Sequence, residues 1–277
     1  MKLLRYGPAG HELPGLLDLE GNVRALRPIV HDIDNDVLSP EGLRFLEALD
    51  PKKLPLVDKP GRLGAPLAAV RQIVAIGLNY LAHANEAGLP VPAEPVVFQK
   101  STSSISGPDD EVILPPGSEK TDWEIELGVV IGSVARRVDK SSAYAHIAAY
   151  CMVNDISERA WQIDRAGQWG KGKSFDTFTP IGPWLVTGSE VDPNALTLSL
   201  KVNGEIRQQG DTSDLIFDVG TLVSYVSQFM TLMPGDLIIT GTPSGVGLGM
   251  KPPRFLAAGD VIDMTITGLG TQRHSVI

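Results

Sequence analysis

Asp122-Trp123-Glu124-Ile125-Glu126-Leu127-Gly128-Val129-Val130-Ile131 is the stretch on which the reading of this chain turns. Its first half alternates. In an extended strand Glu124 and Glu126 share one face, while Trp123, Ile125 and Leu127 share the other. Its last three residues, Val129-Val130-Ile131, are apolar at consecutive positions, the pattern of a strand covered on both faces. Two like charges thus enter a covered sheet, where they repel unless water or a cation lies between them. A second apolar run, Ile147-Ala-Ala-Tyr-Cys-Met-Val153, is followed by a further carboxylate, in Asn154-Asp155.

Working outward, apolar runs bounded by Gly, Pro or Asn-Gly predict further strands over 72–76, 96–99, 184–187, 196–202, 236–240 and 261–266. Asn203-Gly204, between two such runs, predicts a tight hairpin. Helices are fewer, over 79–87, 157–166 and 219–228. The expected fold class is α+β and rich in β. Residues 1–65 differ in texture, with strand-like pieces at 2–6 and 15–18, a helix over 41–48 and breaks at Asp50-Pro51 and Lys59-Pro60. They read as a small N-terminal domain, and 66–277 as the main domain.

The chain has 277 residues, of which 43% are hydrophobic and 21% charged, so disorder, collagen and coiled coil are excluded. Its net charge of −9 makes nucleic acid and anionic membrane poor partners. An anionic substrate would have to find positive charge locally, from a few Lys or Arg or from a metal. The apolar runs fall far short of the roughly 20 residues of a membrane span, and the first residues lack the apolar core of a signal peptide. Cys151 is the single cysteine, so no internal disulfide can form and a cytoplasmic setting is expected.

Gly167-Gln-Trp-Gly-Lys-Gly172-Lys173-Ser174 satisfies a phosphate-loop pattern, but that pattern functions only between a buried strand and a helix. Here the preceding residues look helical. The following Phe175-Asp-Thr-Phe-Thr-Pro180-Ile-Gly-Pro183 cannot carry a helix beyond a turn. Nucleotide binding is therefore rejected.

Glu124, Glu126 and Asp155 match the oxygen ligands that Mg²⁺, or Mn²⁺, requires, and no His or Cys accompanies them as zinc would. Spacing alone leaves a solvated polar face equally open. His83 and Glu86 stand three apart in a helical segment, so they can meet on one face, as a carboxylate-held general base or as a surface pair. The Gly88, Pro90 and Pro92 that follow suit a mobile lid. Lys100 and Lys173 are the cations nearest to these motifs. Arg159 and Gln162, in the helix expected after Asp155, could hold a carboxylate or an oxyanion.

Taken in order, Gly77-Leu-Asn-Tyr80, His83, Glu86, Val97-Phe-Gln-Lys100, Trp123-Glu-Ile-Glu-Leu-Gly128, Asn154-Asp-Ile-Ser-Glu-Arg159, Gly172-Lys-Ser-Phe-Asp176 and Pro234-Gly-Asp-Leu-Ile-Ile-Thr-Gly-Thr-Pro243 resemble the fumarylacetoacetate hydrolase family. The resemblance spans about residues 72–265, and more loosely the N-terminal module of the family's bacterial branch. It implies a β-roll with a mixed sheet around a metal site, in a homodimer. It implies Glu124, Glu126 and Asp155 as Mg²⁺ ligands, with His83 and Glu86 as a water-activating dyad on a lid and Lys173 as oxyanion stabiliser. Arg159, Gln162, Thr242 and Lys100 are implied as substrate contacts. The implied substrate is an α-keto acid, often a 2,4-dioxo acid, hydrolysed at C3–C4 to release pyruvate. Other branches decarboxylate oxaloacetate, isomerise dienoates or carry a ureidoglycolate lyase label. The N-terminal module, Trp123 and Trp161 resemble the branch acting on 2,4-diketo-3-deoxy-rhamnonate or -fuconate, which yields pyruvate and lactate.

Overall fold

The computed structural model describes residues 1–277. Its strands are β1 (Lys2–Tyr6), β2 (Leu13–Leu17), β3 (Val23–Ala25), β4 (Ile73–Gly77), β5 (Val96–Lys100), β6 (Ile125–Ile131) and β7 (Ile147–Asn154). There follow β8 (Thr179–Thr187), β9 (Thr197–Val202), β10 (Glu205–Asp211), β11 (Leu237–Ile239), β12 (Val261–Ile266) and β13 (Gly270–Ser275). The helices are α1 (Pro40–Glu47), α2 (Leu81–Glu86), α3 (Trp169–Gly172) and α4 (Val219–Phe229). Very short strand pieces complete the set.

The main sheet runs β3-β2-β1-β8-β7-β6-β11-β4-β5, and a second runs β10-β9-β12-β13. The β11–β4 pair is parallel and its neighbours are antiparallel, so the sheet is mixed as expected. All seven residues of β6 are buried. Alternation sends Ile125, Leu127, Val129 and Ile131 into a core shared with β9, β12 and α4. Val130 points the other way, into a core built from Leu3, Leu16, Ile33 and Leu46 together with Ala149 and Cys151. Gly128 lies on that second face. A Cβ there would come within 2.8 Å of Cys151 Sγ and 2.7 Å of Val153, so only glycine lets the strands approach. Each fully buried Leu or Ile in these cores contributes about 1.5–3 kcal/mol.

Antiparallel pairing of β6 and β7 sets the site. Asn154 stands opposite Ile125 and Val153 opposite Glu126, which brings the start of one strand beside the end of the other. The Asp155 N–H then donates to the Glu124 carbonyl at 2.8 Å.

The hairpin at Asn203-Gly204 forms, with Val202 opposite Glu205 and positive φ at both turn residues. The helix over 157–166 does not. Ser157–Glu158 pairs with Thr121–Asp122, and a single π-turn spans Ala160–Asp164. Tertiary bonds override the local preference there, because Glu158 takes the hydroxyls of Ser118 and Thr121. Residues 1–65 add β1–β3 to the main sheet through Lys2 opposite Val186 and Leu3 opposite Leu185, and Arg62 bridges Glu12 and Asp110.

Candidate active site

Three buried carboxylates form the floor of the site. Glu124, Glu126 and Asp155 are 4%, 1% and 1% exposed, and each offers an oxygen within 4.8 Å of the others. Their chemistry is unequal. Burial pushes the Glu124 carboxyl up, but Lys173 and Arg159 outweigh that and hold it well below its usual range. Burial, reinforced by Asp155 and Glu124, pushes Glu126 well above its usual range. Glu126 accepts one hydrogen bond, from Gly241 N at 2.7 Å, and has no side-chain partner. Three converging oxygens, one of them without a side-chain partner, fit a hard divalent cation such as Mg²⁺ or Mn²⁺.

Two lysines approach the floor from different sides. Lys173 Nζ lies 2.7 Å from Glu124 Oε2 and 2.6 Å from Asp155 Oδ2, and it lines the cavity. Burial draws its pKa down, yet Asp155 and Glu124 outweigh burial and raise it, so the ammonium is retained. Lys100 Nζ donates to Asp155 Oδ1 at 2.5 Å and to the Phe178 carbonyl at 2.7 Å. It does not line the cavity. The expected substrate contact therefore stands behind Asp155, holding that carboxylate, because β5 delivers its last side chain to the far side of the acid.

Arg159 donates through Nε to Asp122 Oδ2 and through Nη1 to Gln162 Oε1, and its Nη2 is paired with Asp122 and Glu124. Gln162 and Arg159 both line the cavity. The π-turn keeps them adjacent although the expected α-helix is absent. Thr242 lines it too, but its hydroxyl is engaged, donating to the Ile125 carbonyl and accepting from Gln208 Nε2.

The dyad comes together above the floor. His83 Nδ1 lies 3.1 Å from Glu86 Oε2 on α2, and no hydrogen bond engages Nε2. Glu86 also accepts from Gly245 N at 2.9 Å. A Cβ at Gly249 would fall 2.4 Å from Glu86 Cδ, so glycine leaves the space in which the Glu86 side chain lies against this loop.

The phosphate-loop match dissolves. Its residues form a four-residue helix, and its lysine pairs with carboxylates that would repel a phosphate.

Sequence reasoning passed over Asp122. Fully buried, it accepts from Gly247 N, Leu248 N and Arg159, tying the cation to the glycine loop. Its neighbourhood in the sequence carried the signal, a third acid beside Glu124 and Glu126, but not its partners 125 residues away. Trp169 was also missed. It lines the cavity and packs edge-on to Phe98 at 5.5 Å.

A family model described as fumarylacetoacetate (FAA) hydrolase, C-terminal, matches residues 72–277. A Burkholderia multivorans protein named as a candidate hydrolase is 57% identical over 274 residues, covering 98% of this chain and 97% of its own. The chain is similar to the crystal structure of a probable 2-hydroxyhepta-2,4-diene-1,7-dioate isomerase from Mycobacterium abscessus. That match has 37% identity and TM-score 0.85, covering 100% of this chain and 98% of the other. It is also similar to maleylpyruvate hydrolase from Sphingobium sp. SYK-6 in complex with manganese(II) ion and pyruvate, at 28% identity and TM-score 0.83, covering 100% and 99%.

Proposed function

The chain belongs to the fumarylacetoacetate hydrolase family, and from that premise we propose that it hydrolyses the C3–C4 bond of a 2,4-dioxo acid, releasing pyruvate and a carboxylic acid. The observation that carries this reading is one cavity holding both a buried carboxylate trio and a histidine whose Nε2 is unengaged opposite its carboxylate-bound Nδ1.

Glu124, Glu126 and Asp155 would hold a divalent cation, Mg²⁺ by family resemblance or the Mn²⁺ seen in the maleylpyruvate hydrolase complex, and it would supply Lewis-acid polarisation to a 2-oxo acid head. Glu86 accepts the Nδ1 proton of His83 and so leaves Nε2 as the base. Nε2 takes a proton from water, whose oxygen bonds to C4. As C3–C4 breaks, its electron pair becomes the enolate of pyruvate. Lys173 donates to that enolate oxygen, and the imidazolium returns its proton to C3. Arg159 and Gln162 orient the carboxylate head. Isomerisation of a dienoate is the second reading, favoured by the isomerase among the similar structures. It needs the floor and Lys173 but no water.

The sugar-acid substrates suggested by resemblance share this skeleton. The tryptophans offered for them lie elsewhere: Trp123 is fully buried and donates to the Gly245 carbonyl, while Trp161 meets Phe175 edge-on and carries Arg165 over its ring. By the same resemblance we propose a homodimer acting in the cytoplasm on a small-molecule substrate, with sedimentation as the check on assembly.

The test is pyruvate release from a panel of 2,4-dioxo acids, read by coupled NADH oxidation with and without EDTA. Release abolished by chelation and restored by Mg²⁺ or Mn²⁺ supports the reading. Product that is an isomer, with no pyruvate, selects the second.

A further inference from the structure

The cavity is graded in polarity from floor to mouth. At the floor, Glu124, Glu126, Asp155 and Lys173 are at most 4% exposed. At the mouth, Leu89, Ile163 and Leu248 are 46%, 48% and 38% exposed, and all three line the cavity. Leu78, Ala87 and Val246 continue that apolar wall. A single exposed leucine means little, but apolar side chains gathered on the wall of one cavity mark a surface suited to an apolar group.

The cations are distributed the opposite way. Arg159 and Lys173 line the cavity, and both are engaged with carboxylates of the floor or with Asp122. Arg165 is exposed and stacked on Trp161, 3.8 Å from its ring centroid, and does not line the cavity. Beside Ala87 and Leu89 in the cavity wall, the charged lining residue is Glu86, an anion. A cavity of about 260 Å³ has room for a short chain beyond the head group.

Resting on the reading that the 2-oxo acid head sits at the floor, we propose that the group beyond C4 is a hydrocarbon, and that Leu89, Ile163 and Leu248 select it. A tail ending in a second carboxylate would meet leucine, isoleucine and the Glu86 carboxylate, with no free cation. A polyhydroxylated tail would lose water and gain few partners, and buried polar groups without partners are disfavoured. A methylene series would gain about fourfold in affinity for each CH₂ that reaches the rim.

The test separates this proposal from the reading beneath it. Calorimetry with Mn²⁺-loaded protein compares 2-oxoheptanoate with 2-oxoheptanedioate, which differ only in the terminal carboxylate, and 2-oxohexanoate with 2-keto-3-deoxygluconate. The expected result is at least tenfold tighter binding of both hydrocarbon ligands. Ile163→Arg should narrow or reverse the preference against the dioate while pyruvate itself binds as before. Tighter binding of the dioate or the polyol by the wild type would overturn the proposal and leave the head-group reading intact. So would an Ile163→Arg variant that shifts the sedimentation of the protein but leaves ligand preference unchanged, since the rim would then be a contact between copies. Failure of pyruvate and every 2-oxo acid to bind would overturn both.

Discussion

His83 and Lys173 serve one reaction through different physics, and substitution separates them. Removing the base should cost C–C hydrolysis about 10²–10⁴-fold, the usual size of a general-base contribution. His83→Ala should still bind oxalate, an enolate mimic, because the floor and Arg159 are untouched. Lys173→Ala removes a charge-assisted donor, so turnover and oxalate affinity should fall together. One rate assay and one oxalate titration on each variant decide this, and near wild-type hydrolysis by His83→Ala would take water activation away from the dyad. As candidates these residues were legible from the sequence, since His83 and Glu86 are three apart and the acids flank apolar runs, but spacing left them open to solvated faces and the family resemblance supplied their roles. Their partners were not legible. Spacing alone did not separate Lys100 from Lys173, and the resemblance made Lys100 a substrate contact, whereas the approach of β5 behind Asp155 distinguishes a lysine that holds an acid from one that faces the cavity.

At the scale of elements, period-two runs read well, because the pleat imposes them locally. The residues after Asp155 read wrongly as an α-helix. Their conformation is set by strand pairing to Thr121–Asp122 and by Gly172, whose added Cβ would lie 2.5 Å from the Gln162 backbone nitrogen. Such contacts across the fold leave no periodic trace. The seat of α2 is equally non-local, and it yields a prediction. Gly249→Ala would push on a Glu86 side chain already anchored by Gly245 N, so the dyad must move. Displacing a catalytic group by about 1 Å can cost on the order of 10²-fold. The variant should therefore lose kcat/KM by roughly 10- to 100-fold while its thermal midpoint stays near that of the wild type. Unchanged kinetics would mean that the dyad does not depend on this seat.

Across the whole molecule, the net charge of −9 leaves carboxylates in excess of cations, and some arginines are shared between two of them. Arg62 is one of these arginines, joining Glu12 in the N-terminal segment to Asp110 in the main body. Burial pushes both carboxyls up, but hydrogen bonds from Arg62, joined by backbone hydrogen bonds and nearby positive charge, together outweigh it and hold them below their usual ranges. With folded values depressed, the contribution is present above the unfolded values of about 4 and is lost as pH falls through the folded ones. Arg62→Leu should lower the thermal midpoint at pH 7 and flatten its fall between pH 5 and pH 3. Parallel wild-type and variant curves over that range would contradict the linkage. The central claim, that the site directs water at a carbon–carbon bond, is tested most directly by turnover of a 2,4-dioxo acid in H₂¹⁸O, with both products weighed by mass spectrometry at early times. The account predicts one ¹⁸O in the carboxylate of the released acid, alongside equimolar pyruvate. A product of unchanged mass, or a released acid without label, would contradict it.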